Sequence, residues 1–228
     1  SAPLADAGQI SQKVELVDIN GDGFVDLVFA NSGGDFIGSQ ADAQLNQVFL
    51  NDGVGGFTAD DSVFTAPDTA FVIKAGDVDR DGDPDLVVGV NFSGQSYVLI
   101  NDGGSFSEQM LGDAALRSIG DLELGDVDGD GDLDVFAADW GMNQPYGDPD
   151  DTGAPMRLWL GDGDGNFTSA DAQLPMGMES LVSWAYDVEL LDFDNDYDLD
   201  AVIASRGFGK ALVFRNDGGG NFENYAVP

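Results

Sequence analysis

The chain of 228 residues contains no cysteine and no histidine, and only eight lysines and arginines against 43 aspartates and glutamates. Without Cys or His there is no thiolate or imidazole metal site, and no nucleophilic mechanism that needs a cysteine or a histidine base. Oxygen chemistry remains, and carboxylates and carbonyls suit hard cations such as calcium, magnesium or manganese. The scarcity of positive charge excludes a second class of function. A net charge of -35 repels nucleic-acid phosphates and anionic lipid head groups, and the few basic residues are scattered rather than grouped. Long hydrophobic runs are also missing, so no segment reads as a membrane span, and none reads as a signal peptide.

What is present in excess is aspartate, in a particular setting. The stretch GDVDRDGDPDLVVGV (76–90) crowds five aspartates into nine positions and then runs into aliphatic, largely β-branched residues. At an effective dielectric of about 20, two unit charges about 4 Å apart repel by roughly 4 kcal/mol, so such a loop calls for a cation among its carboxylates. The motif recurs as LVDINGDGFVDLVFAN from Leu16, LGDVDGDGDLDVFAAD from Leu124 and ELLDFDNDYDLDAVIAS from Glu189. Each copy is followed by a second strand-like run ending in a tight turn and an aromatic: QVFLNDGVGGF, YVLINDGGSF, RLWLGDGDGNF and LVFRNDGGGNF.

The repeats, approximately 1–60, 61–110, 111–170 and 171–228, each predict four short antiparallel strands. One strand precedes the acidic loop, a buried one follows it, a third ends at the Asn-Asp-Gly or Gly-Asp-Gly turn, and a fourth begins at the aromatic. Four recurring four-stranded units predict an all-β chain forming one β-propeller domain over 1–228, with four blades and the acidic loop between the first and second strands of each. A sandwich would give no reason for the same loop to return at the same place. Joining the two chain ends reproduces the spacing between internal repeats, which is the expectation for a closed four-bladed ring; part of a larger ring is the alternative.

Counted from its first aspartate, each loop offers side-chain oxygens at positions 1, 3, 5 and 9 and a backbone carbonyl at position 7. The candidate metal ligands are therefore Asp18, Asn20, Asp22, Phe24 and Asp26; Asp77, Asp79, Asp81, Asp83 and Asp85; Asp126, Asp128, Asp130, Asp132 and Asp134; and Asp192, Asp194, Asp196, Asp198 and Asp200. Position 6 is Gly23, Gly82 and Gly131, which permits a sharp reversal, but Tyr197 in the fourth copy, where a distorted or weaker site is expected. An EF-hand is excluded because position 12 is Phe29, Val88, Ala137 or Ile203, inside a strand-like run, and not a bidentate Glu leading into a helix.

These four segments, each with its downstream NDGGGNF-like turn, resemble the FG-GAP or VCBS-type repeats of integrin α-subunit propellers and of secreted bacterial proteins. The resemblance spans essentially the whole chain. It implies a β-propeller with calcium, up to four ions, in the loops listed above. Two features depart from that pattern: such propellers usually have seven blades, and Tyr197 replaces a glycine.

The expectation is a non-catalytic, extracellular or cell-surface, calcium-binding structural or interaction module whose partners are other protein subunits, including itself head-to-tail through the chain ends into a filament. Two alternatives are a carbohydrate-binding propeller recognising a surface glycan and an enzyme resembling a polysaccharide lyase. Long loops opposite the acidic ones carry Phe36, Trp140, Tyr146 and Trp184, a candidate aromatic platform against which packing between blades is the plain alternative. A lyase would need a Lys, Tyr or carboxylate base and a basic cluster to hold an acidic sugar, and that cluster is missing. Asn91 and Asn166 match the N-glycosylation acceptor triplet.

Overall fold

The computed structural model describes residues 9–33, 43–91, 94–113, 117–140, 156–177, 185–205 and 211–225. They form four antiparallel four-stranded sheets, the blades of a propeller, each built from four consecutive strands in simple up-and-down order. Blade 1 holds β1 (Ser11–Val17), β2 (Asp26–Asn31), β3 (Gln47–Asn51) and β4 (Phe57–Asp60). Blade 2 holds β5 (Ala70–Gly76), β6 (Asp85–Val90), β7 (Tyr97–Asp102) and β8 (Ser105–Met110). Blade 3 holds β9 (Ile119–Gly125), β10 (Asp134–Asp139), β11 (Arg157–Gly161) and β12 (Phe167–Ser169). Blade 4 holds β13 (Ala185–Leu191), β14 (Asp200–Ser205), β15 (Ala211–Asn216) and β16 (Phe222–Tyr225).

The first strands β1, β5, β9 and β13 pack side by side in that order, and the blades fan out from them. Alternation along each strand sends one set of side chains to the preceding blade and the other to the following one. Three apolar cores result. Val28 and Val48 meet Ile73, Leu86 and Val88 between blades 1 and 2; Val87 and Val98 meet Leu122, Val135 and Trp159 between blades 2 and 3; Phe136 and Leu158 meet Val188, Ile203 and Phe214 between blades 3 and 4. Among the described residues no such core joins blade 4 to blade 1. The burial patterns agree: β6 and β10 are buried at every position, whereas β2 and β14, in the end blades, leave alternate residues partly open. A closed four-bladed ring would cover both end faces; among the described residues Val14 and Leu16 of blade 1 and Leu191 and Phe193 of blade 4 are exposed.

Charged side chains of the first strands meet near the axis. Lys13 pairs with Asp121 and lies 3.8 Å from Asp187, so one side chain of blade 1 reaches both blades 3 and 4. Lys74 pairs with Glu123 at 2.6 Å, and Asp121 also accepts the backbone N–H of Val188. Two of the chain's few cations thus sit among the carboxylates that line the axis.

Blades 2 and 3 approach closely where Gly89 of β6 faces blade 3. A Cβ there would lie 2.5 Å from Val72 Cγ1 and 2.8 Å from Ile119 Cγ2. Gly89→Ala should therefore destabilise the chain by about 1–3 kcal/mol through overpacking, read as a lowered midpoint in chemical denaturation; an unchanged midpoint would show that this inter-blade contact is loose.

Candidate metal centres

Each acidic loop is wound around its own aspartates. Position 1 accepts the backbone N–H of position 6 in all four copies: Gly23 to Asp18 at 2.7 Å, Gly82 to Asp77 at 3.1 Å, Gly131 to Asp126 at 3.0 Å and Tyr197 to Asp192 at 3.2 Å. Position 5 accepts from position 7, as in Asp83 N–H to Asp81 at 2.8 Å and Asp132 N–H to Asp130 at 2.8 Å. These bonds curl the chain and turn the carboxylates inward.

Position 9 has a second job that the sequence spacing did not reveal. Asp26, Asp85, Asp134 and Asp200 are fully buried at the start of β2, β6, β10 and β14. One oxygen of each accepts the N–H of loop position 2, from Ile19, Val78, Val127 and Phe193 at 2.8–3.1 Å. The other accepts the N–H at the end of the third strand, from Asn51, Asn101, Gly161 and Asn216 at 2.7–2.9 Å. One carboxylate thus ties the loop to two strands of its blade.

The carboxylates of positions 1, 3 and 9 converge in three loops, with one oxygen from each lying within 4.8 Å of the others: Asp77, Asp79 and Asp85; Asp126, Asp128 and Asp134; Asp192, Asp194 and Asp200. These three clusters can hold metal ions. Loop 1 has the same winding, but Asn20 replaces the carboxylate at position 3 and donates its amide to Asp22 at 3.1 Å. Position 5 (Asp22, Asp81, Asp130 and Asp196) stands outside the carboxylate clusters. At position 7 the side chains are engaged elsewhere: Asp83 accepts from Gly103 N–H at 2.9 Å, and Asp132 pairs with Arg80 of the preceding blade's loop.

The electrostatics favour a cation. Burial, opposed by the two backbone N–H bonds and reinforced by the other aspartates of the loop, pushes Asp85 and Asp134 up to about 6. In the second and fourth loops one buried oxygen, Asp77 Oδ1 and Asp194 Oδ1, has no hydrogen-bond partner. An orphaned buried carboxylate oxygen beside two others fits an oxygen-liganded ion.

Backbone strain is distributed differently from the sequence expectation. Position 6 is left-handed throughout, with φ of +91°, +98° and +92° at Gly23, Gly82 and Gly131, and Tyr197 accepts the same conformation at +76°. Position 4 is left-handed as well: Gly21 and Gly129 suit it, but Arg80 at +63° and Asn195 at +66° occupy it in loops 2 and 4. The third loop, with glycine at both positions, is thus less strained than the fourth, which has it at neither.

Outside the loops, Asn residues at the ends of third strands link neighbouring blades. Asn101 donates to Ile19 O of blade 1 at 3.2 Å and Asn216 to Val127 O of blade 3 at 2.6 Å. In the sequence these residues were legible only as turn formers. A cavity of about 400 Å3 lies beside blade 2, lined by Phe64, Asp68, Gln95, Tyr97, Phe106 and Glu108 among others. Tyr97 donates to Asp68 at 2.5 Å, and Asn46 donates to the same carboxylate at 3.1 Å. Burial raises Asp68 above the usual carboxylate range, and burial together with the Asp68 charge holds the Tyr97 phenol protonated. No sequence motif marked this cavity. Of the expected aromatic platform, Phe36, Tyr146 and Trp184 lie outside the described residues. Trp140 is buried, edge-on to Phe71 and Tyr186 at 5.2 and 5.3 Å, and so packs in the interior rather than on a platform.

Two outcomes follow from this geometry. Relieving one left-handed side chain with Tyr197→Gly should stabilise the protein by about 1 kcal/mol, measured by denaturant titration; a loss of stability would mean that the exposed ring makes contacts of its own. The raised carboxyls set a pH dependence. Asp85 and Asp134 bind protons more tightly in the folded than in the unfolded chain, so the chelated protein loses stability as pH rises from about 4 to about 6. Its melting temperature in chelator should be higher at pH 5 than at pH 7, and the order should reverse with saturating calcium, because protons compete with the ion for the same oxygens.

Comparison with known proteins places this geometry in a family. Its repeat, described as FG-GAP-like, matches residues 18–88, 77–137 and 126–203. Mouse integrin alpha-7 is 31% identical over 129 residues, which is 51% of this chain and 11% of the integrin. Among solved structures, an Agrocybe aegerita lectin, described as recognising non-reducing terminal N-acetylglucosamine, superposes with a TM-score of 0.56 at 22% identity, over 91% of this chain and 49% of the lectin. The V. cholerae biofilm matrix protein Bap1 gives a TM-score of 0.47 at 16% identity, over 91% of this chain and 35% of that one. The chain thus spans about a tenth of the integrin and about half of the lectin. Matched by overlapping copies of the repeat along most of its length, the chain belongs to the FG-GAP-like repeat family.

Proposed function

We propose that the protein is a non-catalytic, calcium-stiffened interaction module that works outside the cell or at its surface. The convergence of the position 1, 3 and 9 carboxylates in loops that are also tied to the second and third strands of the blade carries this reading. Calcium, held by the side chains of positions 1, 3, 5 and 9 and the carbonyl of position 7, would supply the positive charge that each loop lacks. Asp18, Asn20, Asp22 and Asp26 form the fourth candidate centre, with an amide in place of one carboxylate.

The ion acts here as a clip. It neutralises the loop and so fixes the angle between the first and second strands, leaving recognition to other surfaces. Partners on this reading are protein subunits, including further copies of the chain. Of the terminal segments 1–12 and 223–228, through which self-association is expected, residues 1–8 and 226–228 lie outside the described residues. Among the described residues no helix is long and apolar enough to cross a membrane.

A second reading rests on a different observation, the cavity beside blade 2. Its lining combines apolar Phe64 and Phe106 with the acceptors Asp68 and Glu108, a combination that suits a neutral or amino sugar. A glycan array tests it: binding that disappears with Tyr97→Phe supports a sugar site, and silence of the array with folded protein removes it.

The calcium reading predicts that millimolar calcium raises the melting temperature well above its value in chelator, while an unchanged midpoint would overturn it. Among single sites, Asp128→Ala in the third loop should cost more calcium affinity than Asp194→Ala in the strained fourth, measured by calorimetric titration of the two variants. Equal losses would show that backbone strain does not grade the sites.

A further inference from the structure

The repeats make the two end faces of the array comparable, position by position, with the three interfaces already formed. Val14 of β1 is 48% exposed, while its counterparts Ile73, Leu122 and Val188 are 2%, 0% and 0% exposed against the preceding blade. On the opposite face, Phe193 at loop position 2 is 40% exposed, while Ile19, Val78 and Val127 at the same position are 4%, 2% and 1% exposed under the following blade. The outer faces of blades 1 and 4 are thus open at positions that the three formed interfaces bury.

The two faces are also complementary in the register of the formed interfaces. At the end of the first strand, Gly76 of blade 2 receives Leu124 and Leu133 of blade 3, and Gly125 of blade 3 receives Leu190 and Leu199 of blade 4. The corresponding residue of blade 4 is Leu191, and the corresponding pair on blade 1 is Leu16 and Val25; all three are exposed. Blade 4 thus has leucine where blades 2 and 3 have glycine, and blade 1 has valine where blades 3 and 4 have the second leucine. The polar clamp has the same symmetry. Asn101 and Asn216 each donate to their own loop and to the position 2 carbonyl of the preceding blade. Asn51 of blade 1 donates to its own loop, at Val25 O, and the matching position 2 residue at the far end of the array is Phe193.

We propose that the open face of blade 1 docks on the open face of blade 4 of a second copy of this chain, with Leu16 and Val25 against Leu191 and the Asn51 amide on the Phe193 carbonyl. The inference deepens the interaction-module reading above, on which it rests, by naming the partner and the surface. The second copy is the occupant because the open faces carry, at the same repeat positions, the two sides of an interface that the chain already forms three times; Lys13 reaches Asp187 near the axis, yet Val14, Leu16, Leu191 and Phe193 remain exposed. The two faces differ, so the contact is heterologous and propagates head to tail.

The test is complementation. One variant carries Val14→Asp and Leu16→Asp, the other Leu191→Asp, all on strands outside the acidic loops; light scattering after size exclusion in calcium reads the mass. The unsubstituted chain should give multiples of its 23.9 kDa mass. Each variant alone should run as a single chain, and an equimolar mixture should give the dimer, because one intact face of each kind remains. Far-UV circular dichroism and the calcium-dependent melting temperature, which report the clip independently, should match those of the unsubstituted chain. A single-chain mass for the unsubstituted protein at high micromolar concentration would overturn the proposal without touching the calcium reading. A self-associating variant, or a mixture that stays monomeric, would also overturn it.

Discussion

A buried carboxylate at the start of each second strand is the interaction on which the architecture turns. Asp26, Asp85, Asp134 and Asp200 each bond the N–H that opens the acidic loop and the N–H that ends the third strand, so loop, second strand and third strand meet at one residue. A buried charge is tolerable only when it is well hydrogen-bonded and balanced. The backbone donors supply the first condition; the second points to a cation, because the neighbours at positions 1 and 3 are also carboxylates in three of the four loops. Folding of the blade and occupation of the loop are, on this account, one equilibrium.

From that constraint the rest of the molecule follows in layers. A loop held at both ends fixes how the first two strands cross, repetition of the unit sets blade beside blade, and alternation along the strands loads three apolar cores. The same regularity exposes the ends of the array, since Val14, Leu16 and Phe193 are patterned for neighbours that the chain does not place on them. In most soluble proteins scattered exposed apolar residues need no explanation. Here the explanation is positional: their counterparts in every formed interface are buried or partly covered.

Much of this was legible in the sequence because the repeat is local. The all-β class, four strands per unit, the loop between the first two strands and a fourth strand starting at or beside Phe57, Phe106, Phe167 and Phe222 all follow from short-range patterns. Positive φ at Tyr197 was also readable, because three glycines occupy the same place in the other copies. Arg80 and Asn195 were missed at position 4, since no run of glycines there gave the conformation away. The cavity beside blade 2 was missed for another reason: Asp68, Tyr97 and Glu108 come together through the blade connection and the outer strands, and no local spacing encodes that meeting. Ring closure was inferred from intervals along the chain, a quantity that constrains connectivity but not whether two apolar faces touch.

The central claim, that the loops are cation sites integral to the fold, is tested most directly by counting ions on the folded protein. Native mass spectrometry of the chain titrated with calcium should show discrete binding up to four ions, and Asp134→Asn should remove the ion of the third loop from the spectrum. A folded chain that stays free of ions at millimolar calcium would contradict the account.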